Sequence, residues 1–567
     1  MEDNMDIKTT IVNTLHAALA DELDHDQINE LLEVPKSSKL GDYAFPTFVL
    51  AKTRHQAPQQ IAQALVAELD HAPYEKIEAN GAYVNFFLDK GEFAEATLAD
   101  IFNEGDHYGD ATLGENGNVP IDMSSPNIAK PMSMGHLRST VIGNALANIY
   151  AKIGYHPIKI NYLGDWGTQF GKLIVAYHKW GSEAEIKADP ISNLLKYYVR
   201  FHAEAEKDPE LDDEGRAWFK KLEDGDPEAT HLWEWFRRLS LAEFQKIYDR
   251  LGIQFDSFNG EAYYNDKMDP IVDDLKAKNL LQPSRGAQIV DLTDENLTPA
   301  LIKRSDGATL YITRDLAAAT DRYHQFHFAK SLYVVGNEQT EHFKQLKAVL
   351  KKMGDDWADD IIHVPFGLIT KDGKKLSTRK GNVVLLEKVL DEAVDLAKQQ
   401  IAAKNPDLPN ADQVAHQVGV GAVIFHDLKN DRLDSFDFSL AEVVRFEGET
   451  GPYVQYSNAR AQSILRKAGH HADRQGNLTI DDPAAWDTIK FLAEFPATVL
   501  RAAREYEPSV IAKYALRLSK TFNKYYANSK ILVADDQLNA RLALVEATSQ
   551  VLQQALALLG VQAPEEM

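Results

Sequence analysis

The stretch from Val119 to Tyr150 constrains the fold of this chain more than any other. Its first residues, VPIDM, are typical of the end of a buried strand, and residues 124–134 contain two prolines and an asparagine, which predict a loop. Apolar residues then recur every four positions, at Leu137, Val141, Ala145 and Ile149, and predict a helix with one apolar face. A helix that begins at Gly135 after a strand and a loop can bind a nucleotide phosphate, because its free N–H groups and its positive dipole end face the anion.

Lys130 and His136 add hydrogen-bond donors around this predicted helix start. The same stretch also fits a second interpretation, in which Ser133 is an ordinary N-cap and Gly135 and His136 form an ordinary first turn. Short motifs match by chance, so Gly-His alone leaves both interpretations open.

The longer run SSPNIAKPMSMGHLRSTVIGNAL, residues 124–146, resembles the HIGH region of class I aminoacyl-tRNA synthetases, in the form found in arginyl-tRNA synthetases. Ser133 stands where that motif has its first histidine, and Met134 replaces an isoleucine with another apolar residue. The resemblance implies that Lys130, Ser133, Gly135 and His136 contact ATP.

The predicted fold class is α/β, with three domains, because 567 residues are too many for one hydrophobic core. Residues 1–113 are expected to form a small α+β domain. Residues 114–440 are expected to form a Rossmann-like parallel-sheet catalytic domain with a helical insertion at about residues 181–285. Residues 441–567 are expected to form an all-α bundle. The resemblance implies that the first domain contacts tRNA and that the bundle binds the anticodon.

Composition narrows the function classes further. The chain has 61 basic and 85 acidic residues, a net charge of −24, which argues against a general nucleic-acid binder but allows a local basic surface. It has no cysteine, which excludes disulfides and thiolate zinc sites and fits a reducing compartment. The start MEDNMDIKTT does not resemble a secretory signal, and no apolar run approaches membrane-span length. We therefore expect a cytoplasmic protein with no membrane partner.

Residues 371–380, KDGKKLSTRK, hold five basic residues and one acidic residue. A glycine-flanked basic loop suits the charge that develops on a leaving pyrophosphate, although an isolated lysine run is more often a solvated surface loop. The letters KLSTR resemble the KMSKS loop of class I synthetases, with Thr378 in place of the second lysine. The resemblance implies that Lys375 and Ser377 contact ATP, with Arg379 or Lys380 as further candidates.

A site for a guanidinium needs a carboxylate that accepts two parallel hydrogen bonds, because this group is planar, permanently charged and rich in donors. The resemblance assigns two sets of residues to bound arginine: Tyr311, Asp315 and Gln339 to its guanidinium, and Asp122 and Asn127 to its ammonium. Asp315 also fits a first-turn acid near a helix dipole, and Asn127 fits a turn residue. The residues before Asp315 predict a strand that ends near Ile312 and a helix capped by Thr313.

The resemblance implies ATP-dependent attachment of L-arginine to tRNA(Arg). The arginine carboxylate would attack the α-phosphorus of ATP, so catalysis needs positioning and charge stabilisation and no general base. Lys130 and His136 are expected on one side of the phosphates and Lys375 on the other, with Mg²⁺ bound to ATP as part of the substrate. No protein metal site, tightly bound cofactor or partner subunit is predicted, so a monomer is expected.

Residues 501–530 hold seven basic and two acidic residues, a net charge of +5 in an acidic chain. Lys513, Arg517, Lys520 and Lys524 are spaced four, three and four apart, so they share one helix face opposite an apolar face. We predict that Arg517, Lys520 and Lys524 bind tRNA, because a basic stripe on an acidic protein suits a polyanion. An ordinary solvated face is the alternative.

Three rival functions remain at this stage. A glutamyl or glutaminyl synthetase would need a basic residue for the amino-acid side chain, whereas the matched residues are Asp, Tyr and Gln. A nucleotidyltransferase with a related Gly-His site would need no basic helical bundle. The third alternative is a synthetase-like RNA-binding protein without enzymatic activity. It remains possible because Ser133 and Thr378 differ from the residues usual in the HIGH and KMSKS motifs.

Overall fold

The computed structural model describes residues 7–567 except 36, 73, 305–310, 372–373, 376–383 and 481. The N-terminal part packs helices against a three-stranded antiparallel sheet in the order β1-β3-β2, which is an α+β arrangement. Its elements are α1 (Ile7–Leu19), α2 (His25–Leu31), β1 (Tyr43–Pro46), α3 (Ala51–Arg54), α4 (Pro58–Glu68), β2 (Tyr74–Asn80), β3 (Tyr83–Leu88) and α5 (Lys90–Glu104). The helices α1 and α4 contribute Ile11, Leu15, Ile61 and Leu65 to its core, and all four side chains are fully buried.

A four-stranded parallel sheet in the order β10-β9-β4-β5 forms the centre of the molecule. Its strands are β4 (Asn118–Asp122), β5 (His156–Ile160), β9 (Ser331–Gly336) and β10 (Ile361–Phe366), with crossover helices α6 (Met134–Lys152) from β4 and α14 (Thr340–Met353) from β9. Gly143 lets α6 lie close to the sheet, since a Cβ there would be 2.3 Å from Met123 Cβ. The chain leaves the neighbouring strands β4 and β9 in opposite directions, which makes their shared edge a topological switch point.

The segment between β5 and β9 is mostly helical, and the predicted bounds of a helical insertion at about residues 181–285 stay a prediction. It contains α7 (Thr168–Trp180), α8 (Glu183–Ala188), α9 (Pro190–Ala205), α10 (Glu210–Glu223), α11 (Pro227–Leu251), α12 (Met268–Ala277), the antiparallel strands β6 (Leu281–Ser284), β7 (Ala287–Val290) and β8 (Ala300–Lys303), and α13 (Tyr311–Phe326). The strand predicted to end near Ile312 and the helix cap predicted at Thr313 are wrong. The strand β8 ends at Lys303, and Thr313 lies inside α13, where its hydroxyl donates to the carbonyl of Ile302 at 2.8 Å.

The chain then forms a small sheet in the order β12-β11-β13 and a helical C-terminal part. These elements are β11 (Ile369–Lys371), β12 (Lys374–Lys375), α15 (Leu386–Lys404), α16 (Ala411–Leu428), β13 (Phe436–Asp437), α17 (Leu440–Val443), α18 (Gly451–Ala468), α19 (Trp486–Ala493), α20 (Phe495–Glu505), α21 (Ser509–Asn528) and α22 (Leu538–Leu558). The predicted fold class is therefore confirmed: a Rossmann-like parallel sheet follows an α+β unit and precedes an all-α bundle.

Buried polar contacts join these parts. The Trp486 indole donates to Asp42 at 2.9 Å, which links the C-terminal helices to the N-terminal sheet. The Arg138 guanidinium on α6 pairs with Asp427 on α16 at 3.3 Å, with both side chains 1% exposed. None of the described helices combines the length and the apolar character that a membrane crossing requires.

Candidate active site

A cavity of about 430 Å³ opens at the carboxyl ends of β4 and β9. This is the edge at which an open parallel sheet binds its ligand. The cavity brings together four of the five residues that the resemblance assigns to arginine: Asp122, Tyr311, Asp315 and Gln339. They come from β4, from the first turns of α13 and from the residue before α14, so the fold gathers positions that are more than 200 residues apart in the sequence.

The Asp315 carboxylate already has two neighbouring donors. His342 Nε2 on α14 lies 2.6 Å from its Oδ2, and the Tyr162 hydroxyl donates to its Oδ1 at 3.4 Å. Nε2 must carry a proton in this contact because an ionised carboxylate only accepts hydrogen bonds. A carboxylate has about four acceptor positions, so Asp315 can keep these partners and still accept from a ligand.

Asp122 is paired inside the protein. Its Oδ2 accepts a hydrogen bond from the Arg322 guanidinium at 2.8 Å, and the two side chains are 4% and 2% exposed. Burial raises the pKa of Asp122, and the attraction of Arg322 opposes that shift. The pair is neutral when Asp122 is ionised, so Asp122 adds little net negative charge to the cavity.

Glu261 is the third carboxylate of the cavity, and it begins the 3₁₀ helix Glu261–Lys267. Burial raises the pKa of Glu261 to about 7; the nearby Arg314 opposes this shift, and Asp165 and Asp315 add to it. A positively charged ligand beside Glu261 would stabilise its ionised form. With Asp122 neutralised by Arg322, Asp315 and Glu261 supply the acidic character of the cavity.

The cavity also contains two guanidinium groups, those of Arg314 and Arg322. Their buried Nε atoms have no hydrogen-bond partner among the described residues. Buried polar atoms are normally satisfied in folded proteins, so these two donors are exceptions. Carboxylates and guanidiniums in one cavity of this size suit a ligand that carries both charges, as a free amino acid does.

Four further residues line the cavity and were not predicted from the sequence: Tyr162, Glu261, Arg322 and His342. His342 could have been found, because it lies three residues after Gln339 and therefore on the same side of a helix. No such spacing from a predicted site residue indicates Glu261.

Asn127 is not among the residues that line this cavity. Asn127 is exposed, and its backbone forms a parallel bridge with Gly164. The Asn127 side chain lies against this glycine, because a Cβ added to Gly164 would be 2.4 Å from Asn127 Oδ1. Its predicted contact with the ammonium stays a prediction.

The start of α6 is capped by its own residues. The Ser133 backbone N–H donates to His136 Nδ1 at 3.0 Å, and the Ser133 hydroxyl lies 3.2 Å from the same nitrogen. Nδ1 therefore accepts, and the neutral ring carries its proton on Nε2, which is a donor suited to a phosphate oxygen. Burial lowers the pKa of His136, and the positive charge of Lys130 lowers it further. The ring is thus kept neutral next to a permanent cation.

Lys130 lies between this helix start and the helical segment that follows β5. Its ammonium is 5.1 Å from the centre of the Tyr198 ring on α9, within the range of a cation–π interaction. The preceding residue is also held by this segment, since the Ala129 N–H donates to the Ser240 hydroxyl on α11 at 2.9 Å. The helical segment therefore fixes the backbone and the side chain of the loop that carries Lys130.

The residues that follow the second motif region lie beside the first motif region. The Met134 N–H donates to the carbonyl of Val384 at 3.0 Å, and the Leu386 N–H donates to the carbonyl of Met132 at 3.0 Å. Lys375 lies in β12, which pairs with β11. The side chain of Lys375 and the whole of Ser377, Thr378, Arg379 and Lys380 lie outside the described residues. The described backbone nevertheless brings residues 384–386, which follow this motif region, to the start of α6.

The predicted basic stripe on α21 is exposed, and its opposite face is buried, as the spacing predicts. Its cations differ in their partners. Lys520 pairs with Glu449 at 2.9 Å and Lys524 with Asp487 at 3.5 Å, whereas the Arg517 guanidinium lies 5.2 Å from the Phe491 ring. Nearby carboxylates therefore neutralise part of the stripe.

A second cavity, of about 340 Å³, lies among the C-terminal helices and was not predicted. Its Arg460 guanidinium is 4.9 Å from the Tyr456 ring and 5.1 Å from the Tyr526 ring. Aromatic rings next to a cation are a common surface for stacking nucleic-acid bases.

Three family models match the chain in succession. The model for the arginyl tRNA synthetase N-terminal domain matches residues 5–88, the class I (R) tRNA synthetase catalytic domain matches residues 97–440, and the DALR anticodon-binding domain matches residues 454–567. The predicted boundaries at 113/114 and 440/441 stay predictions.

Full-length relatives agree with these models. The arginine–tRNA ligases of Latilactobacillus sakei and Lactiplantibacillus plantarum are each 67% identical over 563 residues, which is 99% of this chain and 100% of each relative. The solved structure of Thermus thermophilus arginyl-tRNA synthetase superposes with a TM-score of 0.84 at 26% identity and covers 99% of this chain and 100% of its own. The chain, with its cavity at the switch point of a parallel sheet and its Gly-His helix start, belongs to the arginyl-tRNA synthetase family of class I.

Proposed function

We propose that this chain attaches L-arginine to tRNA(Arg) with ATP, through an arginyl-adenylate. In the first step an arginine carboxylate oxygen bonds to the α-phosphorus of Mg²⁺-bound ATP, and the bond to the β-phosphate breaks with release of pyrophosphate. In the second step a ribose hydroxyl of the terminal tRNA adenosine attacks the activated carbonyl, and AMP leaves. The cavity at the ends of β4 and β9 supports this proposal best, because Asp315 and Glu261 face a space suited to a cationic amino acid.

The residues around the α6 start are proposed to act on the phosphates. The nucleophile is already an anion, so these residues have to stabilise negative charge and need not remove a proton. We assign His136 Nε2 and the Lys130 ammonium to this role, with the backbone of Gly135 allowing close approach. Ser133 stands at the helix start in place of the usual histidine, and its backbone N–H donates to His136 Nδ1 and orients that ring. Lys375 and Ser377 are proposed to act from the other side.

An aminoacylation assay tests the proposal directly. Purified protein, ATP, tRNA(Arg) and labelled amino acids should give labelled tRNA only with arginine, and arginine-dependent pyrophosphate exchange should require tRNA. Charging with glutamate or glutamine would indicate a different synthetase. Binding of tRNA without charging of any amino acid would support the inactive RNA-binding alternative.

Asp315→Ala is expected to raise the KM for arginine at least about 30-fold, since loss of one partner of a buried charged pair costs about 2–5 kcal/mol. The KM for ATP should change little. Asp321→Ala is a matched control, because Asp321 lies on the same helix, has the same 24% side-chain exposure and pairs with Lys267 instead of lining the cavity. If the two variants have equal KM values for arginine, Asp315 does not bind arginine.

The KM for arginine is expected to fall about tenfold between pH 6 and pH 8 if only the ionised form of a group with a pKa near 7 binds. The sign follows from charge: deprotonation of Glu261, whose pKa burial raises to about 7, creates the anion that attracts a guanidinium. In Glu261→Gln the KM should be higher and nearly independent of pH over this range. A variant that keeps the wild-type pH profile would exclude Glu261 as the titrating group.

Lys130→Ala is expected to lower kcat about 10²–10³-fold, as for the loss of one charge-stabilising donor. The KM for arginine should stay within a few-fold. Lys172→Ala is the matched control: its ammonium also lies over a ring of α9, 5.6 Å from Phe201, but it pairs with Asp212 at 2.6 Å. A normal kcat in Lys130→Ala would show that other groups hold the phosphates.

We further propose that the enzyme acts as a cytoplasmic monomer. The absence of cysteine is consistent with a reducing compartment. Light scattering of the purified full chain tests the monomer.

A further inference from the structure

A buried arginine of α6 joins the phosphate-binding helix to a distant part of the catalytic region. Arg138 follows His136 by two residues, so the two side chains leave the helix about 200° apart. The Arg138 side chain is 1% exposed, and its Nε donates to Asp427 Oδ1 on α16 at 3.3 Å. Its Nη1 donates to the carbonyl of Asp434 at 2.8 Å. One side chain therefore connects α6 with α16 and with the segment that follows α16.

Residues 432–438, called the backing segment below, run beside the chain that leads from β10 into the second motif region. The Gly367 N–H donates to the carbonyl of Arg432 at 2.8 Å. The Leu368 N–H donates to the Ser435 hydroxyl at 2.9 Å. The strand β13 of the backing segment then pairs in parallel with β11, and β11 pairs with β12 at the second motif region. The position of the backing segment thus sets the position of these two strands.

The Arg138 guanidinium also lies next to two aromatic rings. Its central carbon is 5.0 Å from the centre of the Phe436 ring and 5.9 Å from that of the Phe366 ring, both within cation–π range. Phe366 is the last residue of β10, and Phe436 is the first residue of β13. One planar group therefore contacts the catalytic sheet, the backing segment and α16, and a compact ammonium would not reproduce this geometry.

Stability alone gives little reason for this buried pair. Among the described residues, Arg138 Nη2 and Asp427 Oδ2 are buried without a hydrogen-bond partner. Burial raises the pKa of Asp427 to about 6, although the attraction of Arg138 opposes this shift. Apolar residues of similar volume often replace such a pair with no loss of stability. Directed hydrogen bonds from a rigid group, in contrast, fix the orientation of the elements that they join.

We propose that Arg138 and Asp427 are positioning residues for adenylate formation, which hold the backing segment, and with it the second motif region, in register with His136. The inference rests on the proposed function, because it takes the two motif regions as the two sides of the phosphate site. In the part of the chain that the structure describes, neither residue lines the amino-acid cavity. Their loss should therefore weaken stabilisation of the transition state and leave arginine binding intact.

The variant Arg138→Met/Asp427→Leu tests the inference, because it replaces both charges and leaves neither one buried alone. Its melting temperature should stay close to that of wild type. At saturating tRNA(Arg), kcat for arginine-dependent pyrophosphate exchange should fall about 10–100-fold, as for a small misplacement of reacting groups. The KM for arginine should stay within about twofold. A loss of stability alone would not produce this split between kcat and KM.

Two further measurements separate positioning from charge pairing. Arg138→Lys keeps a cation beside Asp427 but lacks the planar fork that also reaches the Asp434 carbonyl, so its kcat for exchange should fall about tenfold with an unchanged KM for arginine. Synthetic arginyl-adenylate should be transferred to tRNA(Arg) at the wild-type rate by both variants, because no pyrophosphate leaves in that step.

The matched control removes an ion pair of the N-terminal part. Arg54 on α3 pairs with Glu22 at 2.5 Å, with side-chain exposures of 21% and 17%. The variant Arg54→Met/Glu22→Leu should keep kcat within about twofold of wild type at saturating tRNA(Arg). A wild-type kcat in either folded Arg138 variant, or an equal loss of kcat in the control, would overturn the inference. Absence of arginine-dependent exchange in wild type would instead contradict the proposed function.

Discussion

The parallel pairing of β4 with β9 is the contact on which the rest of the site depends. It sets Asp122 opposite Tyr333 and brings the carboxyl ends of two strands side by side, although they are about 200 residues apart in the chain. The crossover helices then diverge, α6 towards β5 and α14 towards β10, and leave a crevice between them. The amino-acid cavity and the Gly-His helix start both follow from this pairing, because both lie at the carboxyl end of β4.

The charges of the side chains that line the crevice determine which ligand it can bind. The buried Asp122–Arg322 pair is neutral, so it contributes shape and hydrogen bonding more than attraction. Asp315 and Glu261 supply the remaining negative charge, and the raised pKa of Glu261 reflects the cost of ionising a buried carboxyl group, which the nearby Arg314 offsets only in part. A cationic side chain in the cavity would relieve that cost, which gives a physical reason for selecting a guanidinium.

The helical segment between β5 and β9 positions parts of the site. Its α9 and α11 hold the loop before α6 through the Tyr198 ring and the Ser240 hydroxyl. The same segment contributes Glu261 to the cavity. This segment thus supports the phosphate side of the site and completes its amino-acid side.

Local sequence determined the elements and the motif residues. The four-residue apolar spacing after Gly135 predicted α6, the alternation of basic and apolar residues predicted the exposed and buried faces of α21, and motif resemblance predicted four of the residues that line the cavity. These are short-range properties of the chain, or patterns that a family preserves as contiguous letters. The helix cap predicted at Thr313 was wrong because its hydroxyl, a good helix cap in isolation, instead donates to the carbonyl of Ile302 on a neighbouring strand.

Tertiary structure alone decided which charges face one another. Glu261, Arg322 and His342 join the cavity because separate elements pack around one sheet edge, and Lys520 differs from Arg517 because Glu449 lies beside the former. Electrostatic interactions depend on distance through space and on burial, and neither can be read from spacing along the chain. The sequence by itself therefore determined the fold class, the family resemblance and the main phosphate-binding motif, whereas the net charge of the amino-acid cavity exists only in the folded molecule.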